Sequence, residues 1–329
     1  MAGKAGLARL SGGRLLVIGR AGMDLYADPP GTRTEEAARF TSALGGSAAN
    51  TAVALTRLGC RAAIVTCVAD DAIGRFCLNE LDRYGVDRRH VRAVGGEARN
   101  SLAVVETRVE DHQSVIYRNG AADFEMTAAD VEAVDYAAFS GLIATGTVLA
   151  AEPSRSAALR AFELARAAGV PLILDIDYRP YSWRSGWDAA EVCGRAAAMC
   201  DVIVGNDVEF GVLAGDAAQG LAAARALVAG GAGVAIYKMG EKGAITITPG
   251  EEFATGIFPV AVLKPTGAGD SFLGALIAAL AAGRPLREAV LRGAAAAAIV
   301  VGRVACAPAM PDRAELDLFL ARNPAPGAI

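Results

Sequence analysis

Residues 264–272, with the sequence KPTGAGDSF, combine the groups that phosphoryl transfer needs. Gly267, Ala268 and Gly269 are small, so backbone N–H groups there can crowd around an anion. An apolar run typical of a helix follows, and its N-terminus would add unpaired N–H donors and the positive end of its dipole. Asp270 would stand in the first turn, where a carboxylate could take a proton from a substrate hydroxyl beside a bound phosphate. Taken alone, these residues favour a tight turn in which Asp270 simply caps the helix.

A second glycine motif lies far upstream and changes this balance. Gly45 and Gly46 precede Asn50 and a run with helical apolar spacing, which ends at Gly59, a typical residue after a helix C-terminus. Together the two motifs resemble the two signatures of the ribokinase-like (PfkB) carbohydrate kinases, and the resemblance extends from about residue 14 to residue 312. It implies that the Gly-Gly motif binds a sugar, and that the GAGD motif supplies an anion hole and the catalytic base.

The composition and charge of the chain suit an enzyme of this kind and argue against several others. The 329 residues are 53% hydrophobic, enough for a large core, and a formal charge of −4 without a basic block argues against a nucleic-acid partner. Six cysteines show no C-x-x-C spacing, which favours buried or idle thiols over a metal site or disulfides. The sequence has neither a Walker A nor a Rossmann glycine pattern, and no apolar run long enough to span a membrane. We therefore expect a cytoplasmic protein.

Apolar strand-like runs alternate with helix-like runs along most of the chain. This alternation predicts an α/β fold in which a doubly wound, mostly parallel sheet is covered by helices on both faces. Ligands in such sheets bind beyond the carboxyl ends of the strands. The strand candidates are residues 14–19, 62–68, 141–145, 171–176, 201–205 and 233–239, and the helix candidates are residues 47–58, 71–84, 154–168 and 217–229.

Two segments interrupt the alternation. Residues 22–45 are polar and marked by Pro and Gly, and residues 99–120 have the pattern of a hairpin with the polar turn EDHQ. The family resemblance implies that these segments form a small β lid over the sugar site, through which two copies of the chain could pair as a homodimer. The α/β core then comprises residues 14–21, 46–98 and 121–318, with flexible termini at residues 1–13 and 319–329.

Several polar residues near the glycine motifs and strand ends are candidates for the sugar site. From the sequence alone, Asp24 could equally close a turn, and Asn50 could be an ordinary residue of a first helical turn. An arginine on a hairpin is usually solvated, and residues 177–183, DYRPYSW, could be an aromatic packing loop. The position of residues 177–183 at a strand's carboxyl end favours a binding site over a packing loop. Arg118 on the hairpin and Arg179 in this loop both suit the carboxylate of an acid sugar. With the resemblance, the predicted sugar-binding residues are Asp24, Gly45, Gly46, Asn50, Tyr117, Arg118, Asp177 and Arg179.

Two further strand ends carry candidates for the nucleotide side. Asn206 and Glu209 match the family's N-x-x-E motif, which organises magnesium and phosphates, although the same pair would also form a capping box. Glu209 is therefore predicted to hold Mg²⁺, through water. Residues 238–243 resemble the loop that lines the nucleotide and would otherwise be a hairpin turn. The predicted ATP-binding residues are Asn206, Lys238, Gly240, Gly243, Lys264 and Thr266, with ATP and Mg²⁺ as the expected cofactors.

Lys264 departs from the family pattern, because many members have an aspartate there, in a region that helps to bind an activating monovalent cation. An ammonium could replace the charge of that ion or repel it, so activation by potassium is doubtful. This departure, with the segments around Arg118 and Arg179, resembles a subgroup that phosphorylates a keto sugar acid in myo-inositol catabolism. We therefore expect transfer of the ATP γ-phosphate to the terminal hydroxyl of such an acid. The alternatives are a kinase of 2-dehydro-3-deoxygluconate, fructose or ribose, and a catalytically silent sugar-binding sensor.

Overall fold

A nine-stranded sheet forms the centre of the molecule, as the alternation of strands and helices predicts. The computed structural model describes residues 7–327. The strands of this sheet, numbered in chain order, are β1 (Arg14–Ile18), β4 (Arg61–Ala69), β5 (Asp87–Val94), β8 (Gly141–Thr145), β9 (Leu172–Asp175), β10 (Val202–Asn206), β11 (Val234–Lys238), β12 (Ala244–Thr248) and β13 (Glu251–Thr255). Their order is β13-β12-β11-β10-β9-β8-β1-β4-β5. The sheet is parallel except for β12 and β13, which pair antiparallel at one edge.

The strand order reverses direction next to β1. The chain runs from β1 to β4 and β5 on one side, and later continues from β8 outward on the other side. Loops that leave neighbouring strands on opposite sides of such a point open a crevice at the carboxyl edge of the sheet. The fold therefore places a ligand crevice between the ends of β1 and β8.

Helices cover both faces of the sheet, and each face has its own apolar core. One face is covered by α1 (Ser47–Arg57), α2 (Ala72–Arg83), α8 (Ala268–Ala281), α9 (Leu286–Val301) and α10 (Arg313–Arg322). The other face is covered by α3 (Ala128–Glu132), α4 (Ser154–Ala167), α5 (Gly186–Ala198), α6 (Asp207–Ala214) and α7 (Gly220–Ala229). Two layers of helices around a mostly parallel sheet confirm the predicted fold class.

The close packing of α1 against α8 brings the two glycine motifs together. A Cβ added to Gly274 in α8 would lie 2.4 Å from the Cβ of Ala54 in α1, so glycine lets the two helices approach. Both helices begin at the carboxyl edge of the sheet, and their first turns contain Asn50 and Asp270. Helix packing thus joins two segments that are far apart in the sequence.

A second sheet of four strands is built from the two segments that interrupt the alternation. Its strands are β2 (Gly22–Asp28), β3 (Arg39–Gly45), β6 (Leu102–Val105) and β7 (Ser114–Tyr117), in the order β3-β2-β6-β7. Because strand side chains alternate, Asp24 and Tyr26 share one face with Ala103, to which Asp24 is paired. Asp24 and Tyr26 are buried and the neighbouring Met23 and Leu25 are half-buried, so the Asp24 face is turned inward.

Parts of the expected flexible termini are packed in the structure. Leu10 is fully buried in the core, and α10 runs continuously past residue 318, with Phe319 against the ring of Phe258. Residues 1–6 and 328–329 lie outside the described residues. Within residues 7–327, no single helix is long and apolar enough to cross a membrane, although α6 and the stretch Ala217–Ala229 together meet the criteria of length and composition across a bend of 107°.

Candidate functional site

Residues 267–269, called the anion loop here, lie at the start of α8. Gly267 precedes the helix in a left-handed conformation with φ of 85°, and a Cβ there would lie 2.8 Å from the Cys306 Sγ. Both features require glycine at this position. The first bond of the helix runs from the Ser271 N–H to the Gly267 carbonyl, so the helix does not use the amides of residues 268–270. These amides form a potential binding site for an anion.

Asp270 meets Asn50 across the interface between α8 and α1. The Asn50 Nδ2 donates a hydrogen bond of 2.8 Å to Asp270 Oδ2. Burial and the nearby Asp177 carboxylate raise the pKa of Asp270 to about 7, although Asn50, Arg179 and Arg20 act in the opposite direction. A carboxylate whose pKa lies near the working pH is suited to general-base catalysis. The Asn50 Oδ1 is buried without a hydrogen-bond donor in the described structure, so a ligand hydroxyl could donate to it.

Asp24 in β2 is buried against the Gly-Gly motif. A Cβ at Gly45 would lie 1.9 Å from the Asp24 Oδ1, so this carboxylate fits because residue 45 has no side chain. A Cβ at Gly46 would lie 2.4 Å from the Arg20 carbonyl oxygen at the end of β1. The Tyr26 hydroxyl donates a 3.0 Å bond to Asp24 Oδ2, and burial raises the pKa of Asp24. The two glycines therefore make room for a carboxylate and for the end of β1.

Arg118 is buried, unlike the solvated arginine that a hairpin position suggests. Its guanidinium forms an ion pair with Asp123, donates a 3.0 Å bond to the Thr147 carbonyl and stacks 4.0 Å from the ring centre of Phe124. Burial lowers the pKa of Arg118, while the Asp123 carboxylate raises it. Arg118 is thus held at the junction of β7 with the core, and Asp123 balances its charge.

Asp177 and Arg179 follow β9 at the carboxyl edge of the large sheet. Asp177 has φ of 39°, a conformation that is uncommon for residues other than glycine and that clusters at functional sites. Its two carboxylate oxygens are both engaged, by the Thr147 hydroxyl at 3.2 Å and by the Arg179 Nη2 at 2.8 Å. The Asp177 carboxylate also raises the pKa of Arg179. Like Arg118, Arg179 carries a carboxylate partner from the protein.

Tyr117 lies apart from the other predicted sugar-binding residues. It pairs with Leu102, on the face of the small sheet opposite to Asp24 and Ala103. Its side chain is 59% exposed. Although Tyr117 and Arg118 are adjacent in sequence, the structure brings Arg118 to the crevice and leaves Tyr117 on the outer surface.

Asn206 and Glu209, at the end of β10, form the capping box that their spacing allows. The Asn206 N–H donates to Glu209 Oε2 at 2.7 Å, and the Glu209 N–H donates to Asn206 Oδ1 at 2.9 Å. Glu209 is buried, and burial raises its pKa while Lys238 opposes the shift. One carboxylate oxygen of Glu209 remains outside the capping box.

Lys238 and Asp175 join Glu209 in one charged cluster, because β9, β10 and β11 end side by side. Burial alone would lower the pKa of Lys238, but the carboxylates of Asp175 and Glu209 outweigh it and raise that pKa. Burial raises the pKa of Asp175, and Lys238 opposes the shift. A Cβ at Gly269 would lie 3.4 Å from the Lys238 Nζ, so the cluster borders the anion loop.

No metal site is already assembled from side chains in residues 7–327, where the structure holds no group of three or more His, Cys, Asp or Glu side chains arranged for an ion. Magnesium at kinase sites usually keeps several waters and binds one or two carboxylates together with phosphates. The free oxygen of Glu209 and the neighbouring Asp175 fit that requirement.

The remaining nucleotide-side candidates lie in two turns. Gly240 and Gly243, with φ of 58° and 79°, flank the turn between the antiparallel strands β11 and β12, which is the hairpin that the sequence also allows. Lys264 is fully buried, and its Nζ donates to the Thr266 carbonyl at 2.5 Å. Burial lowers the pKa of Lys264, while Cys306, Asp24 and Asp270 raise it. The lysine therefore places a cation directly behind the anion loop.

Sequence reasoning missed several residues that the structure places at the site. Arg20 follows β1 and is buried, and Asp175 ends β9; both could have been found by the rule that strand carboxyl ends carry ligand contacts. Other side chains of the site are oriented by contacts that no local sequence pattern predicts. These contacts come from Asp123, Thr147 and Tyr26.

Comparison with known proteins supports this description. Residues 13–313 match the family model of the pfkB family carbohydrate kinases. A relative from Photobacterium profundum, named 5-dehydro-2-deoxygluconokinase, is 39% identical over 310 residues, 93% of this chain and 94% of the relative. A relative of the same name from Geobacillus kaustophilus is 34% identical over 313 residues, 94% and 93% of the two chains.

Solved structures show the same fold. A fructokinase double mutant from Vibrio cholerae O395, bound to fructose, ADP and potassium ion, matches with a TM-score of 0.82 and 25% identity over 94% of this chain and 99% of its own. A provisionally named ribokinase II from E. coli, in complex with ATP and Mg²⁺, matches with a TM-score of 0.83 at 22% identity, over 94% of this chain and 99% of its own. The latter likeness shows the fold alone.

Proposed function

Because the chain belongs to the pfkB family of carbohydrate kinases, we propose that it transfers the γ-phosphate of ATP to the terminal hydroxyl of 5-dehydro-2-deoxy-D-gluconate. Two relatives that are similar over nearly the whole chain carry the name of this activity. The observation that carries the chemistry is Asp270, with a pKa of about 7, next to the anion loop at the N-terminus of α8. That arrangement combines a base with an anion site, as phosphoryl transfer requires.

In the proposed reaction, Asp270 acts as the general base. The proton of the sugar hydroxyl passes to the Asp270 carboxylate, and the hydroxyl oxygen bonds to the γ-phosphorus as the bond from that phosphorus to the oxygen of ADP breaks. The amides of residues 268–270 stabilise the negative charge on the phosphoryl oxygens. Asn50 holds Asp270 in place through its amide N–H and offers its unpartnered Oδ1 to a sugar hydroxyl.

The nucleotide side is formed by the ends of β10 and β11 and the turn before α8. Lys238 supplies a cation to the phosphates, and the buried Thr266 Oγ1, which has no partner in the described structure, can bond one of them. Asn206, Gly240 and Gly243 shape the nearby turns. Glu209, with Asp175, would hold Mg²⁺ through water, and the bound ion would neutralise phosphate charge.

The buried ammonium of Lys264 takes the role that an activating monovalent cation has in other members of the family. It lies within the protein, bonded to the Thr266 carbonyl beside the anion loop. A second cation next to it would be repelled in this buried position. Activity that does not require potassium is the expected consequence.

The small sheet acts as a lid over the sugar and as the surface through which two copies pair. Its outward face presents Phe40, Val115 and Tyr117, which are 40%, 45% and 59% exposed. Their pairing with Ala27, Val104 and Leu102 places all three side chains on the face opposite to Asp24. An apolar group on one face of an exposed sheet is typical of an interaction surface. A Tyr117→Ser variant should weaken a dimer in sedimentation, whereas Leu318→Ser, on α10, should not; a monomeric native protein at micromolar concentration would refute the pairing.

The proposed activity is tested by coupled ADP release with a panel of sugar acids and neutral sugars. The proposal expects turnover with 5-dehydro-2-deoxygluconate to exceed that with 2-dehydro-3-deoxygluconate, fructose and ribose. Faster turnover of fructose or ribose would refute the acid assignment. Binding of a sugar acid without any ADP release, under conditions in which ATP also binds, would indicate a sensor instead. ATP dependence also suits a cytoplasmic location.

A further inference from the structure

Arg20 is a buried cation without a carboxylate partner in the described structure. It follows β1 at the centre of the crevice and is 8% exposed. Its Nη1 donates a 3.1 Å hydrogen bond to the Ser101 hydroxyl, and no ion pair links it to an acid within residues 7–327. Arginine is almost never buried without a pairing group, because removing a guanidinium from water is costly. The environment of Arg20 is therefore incomplete without an anion.

The other two arginines of the crevice are already balanced. Arg118 is paired with Asp123, and Arg179 is paired with Asp177 at 2.8 Å. Arg20 and Arg118 lie close enough to repel, since the Arg20 charge lowers the pKa of Arg118. Of these three arginines, Arg20 has no carboxylate within ion-pair distance in residues 7–327, so a negative group of the ligand could meet its guanidinium without displacing a protein carboxylate.

The position of Arg20 is that of a sugar contact. Its carbonyl oxygen accepts a 3.2 Å bond from the Ala49 N–H in the first turn of α1, and its charge opposes the burial that raises the pKa of Asp24 and of Asp270, so Arg20 lies close to both carboxylates. Burial raises the pKa of the Tyr181 hydroxyl, and the charges of Arg179 and Arg20 oppose that rise. A Cβ at Gly22 would lie 2.5 Å from the Ser101 Oγ, so glycine makes room for the hydroxyl that accepts the hydrogen bond from the Arg20 Nη1.

We infer that Arg20 binds the carboxylate of the sugar acid and is the residue that selects an acid over a neutral sugar. This inference rests on the proposed function. Arg118 and Arg179, whose charges are met by the protein, then orient the sugar and its surroundings. A guanidinium can hold a carboxylate through two parallel hydrogen bonds, which an ammonium cannot reproduce.

A different role for Arg20 makes a different prediction. Its charge could serve solely to keep Asp24 and Asp270 ionised. In that case removing the charge would impair turnover of acid and neutral sugars by the same factor. It would also raise the pKa that governs the pH profile with both sugars.

The experiment compares Arg20→Gln and Arg20→Lys with the native protein and with Arg61→Gln, an exposed arginine at the opposite edge of the sheet. Each is assayed with 5-dehydro-2-deoxygluconate and with the neutral keto sugar in which a primary alcohol replaces the carboxylate. We expect Arg20→Gln to raise the KM for the acid about 10-fold to 100-fold, with the KM for the neutral sugar within about twofold. The KM of Arg20→Lys for the acid should lie between the values of the native protein and of Arg20→Gln. Arg61→Gln should have the same KM values as the native protein.

The outcomes separate the inference from the function on which it rests. An unchanged ratio of kcat/KM for acid and neutral sugar in Arg20→Gln and Arg20→Lys overturns the inference but leaves the kinase assignment standing. A native protein that prefers the neutral sugar overturns the proposed substrate first, and the inference with it. Thermal unfolding and the KM for ATP show whether each variant is folded. If Arg20→Gln does not fold, Arg20→Lys decides the question through the same ratio.

Discussion

Replacing Asp270 with asparagine should abolish most of the catalysis while making the protein more stable at alkaline pH. Asparagine keeps the size of the side chain and can still accept the bond from the Asn50 Nδ2. It cannot take a proton from the sugar hydroxyl. Loss of a positioned general base typically lowers the rate by ~10²–10⁴, so kcat should fall by that factor while the KM for ATP stays near its native value.

The pH dependence of the native enzyme follows from the raised pKa. Asp270 acts as a base when ionised, and burial raises its pKa to about 7. The value of kcat/KM, which reports the free enzyme, should therefore rise through neutral pH and fall about tenfold per pH unit on the acid side. In Asp270→Asn the residual activity should lose this step.

Ionisation of Asp270, which makes it active as a base, lowers the stability of the folded protein. Asp270 has a pKa of about 7 when folded against 3.8 ordinarily, so the stability that it contributes is complete below the lower value and is lost as the pH rises through the higher one. When the pH rises from 5 to 8, the protein loses the folding stability that corresponds to about two units of this pKa difference, at ~1.4 kcal/mol per unit. Water at the open crevice reduces the effect to about 1–3 kcal/mol. Asp270→Asn should gain that much relative to the native protein over this range.

The assays are steady-state ADP release from pH 5.5 to 9 and thermal unfolding at pH 5 and pH 8. A matched control is Glu288→Gln, a half-buried acid in the first turn of α9 whose only ion-pair partner in residues 7–327 is Arg284; it should alter neither the pH profile nor the difference in stability between pH 5 and pH 8. A variant with near-native kcat would remove Asp270 from the mechanism and leave it as a helix cap. A native pH profile without a step near neutral pH would show that the raised pKa of this buried carboxylate does not govern catalysis.

Three other predictions concern the elements around Asp270. Gly269→Ala should fold normally, because its Cβ meets the Lys238 Nζ at an ordinary 3.4 Å, yet lose turnover by crowding the phosphate; full activity would show that the anion loop does not touch it. Native activity should be the same in sodium and potassium chloride, and Lys264→Met should lose activity in sodium chloride; strong activation of the native enzyme by potassium would contradict the role given to Lys264. Hydrogen exchange in residues 22–45 and 99–120 should slow together when sugar acid is added, and a response in one segment alone would rule out a common lid.

The large sheet was predictable because its central strands are short, apolar and buried on both sides. The runs ending at Ile18, Thr145 and Asp175 stand out in the sequence for this reason. β5, with the sequence DRRHVRAV, was not predicted, because an edge strand with charged and exposed positions lacks that pattern. β13 was missed for the same reason, since Glu251 and Glu252 are exposed at the other edge.

The site was harder to predict wherever a residue's role depends on a distant partner. Arg118 resembles a solvated hairpin residue until Asp123 and the Thr147 carbonyl, from other elements, enclose it. Lys264 was recognised as unusual, but its complete burial depends on the segment around Cys306, which no local pattern connects to it. Local sequence thus indicates which groups are present, whereas packing decides which charges are balanced.

The balance of charge in the crevice links substrate choice to the strength of the base. Arg20 is one of the groups that hold the pKa of Asp270 down, whereas burial and Asp177 raise it. A substrate carboxylate bound to Arg20 would neutralise that influence, and the pKa of Asp270 would rise in the complex. A base with a higher pKa is ionised only at higher pH, so with the acid sugar the acid-side step of kcat, which reports the complex, should lie at higher pH than the step of kcat/KM, which reports the free enzyme. A neutral sugar would leave the Arg20 charge in place, so its steps in kcat and kcat/KM should coincide, and a separation of the two steps with the acid alone would show that the bound carboxylate meets Arg20 beside the base.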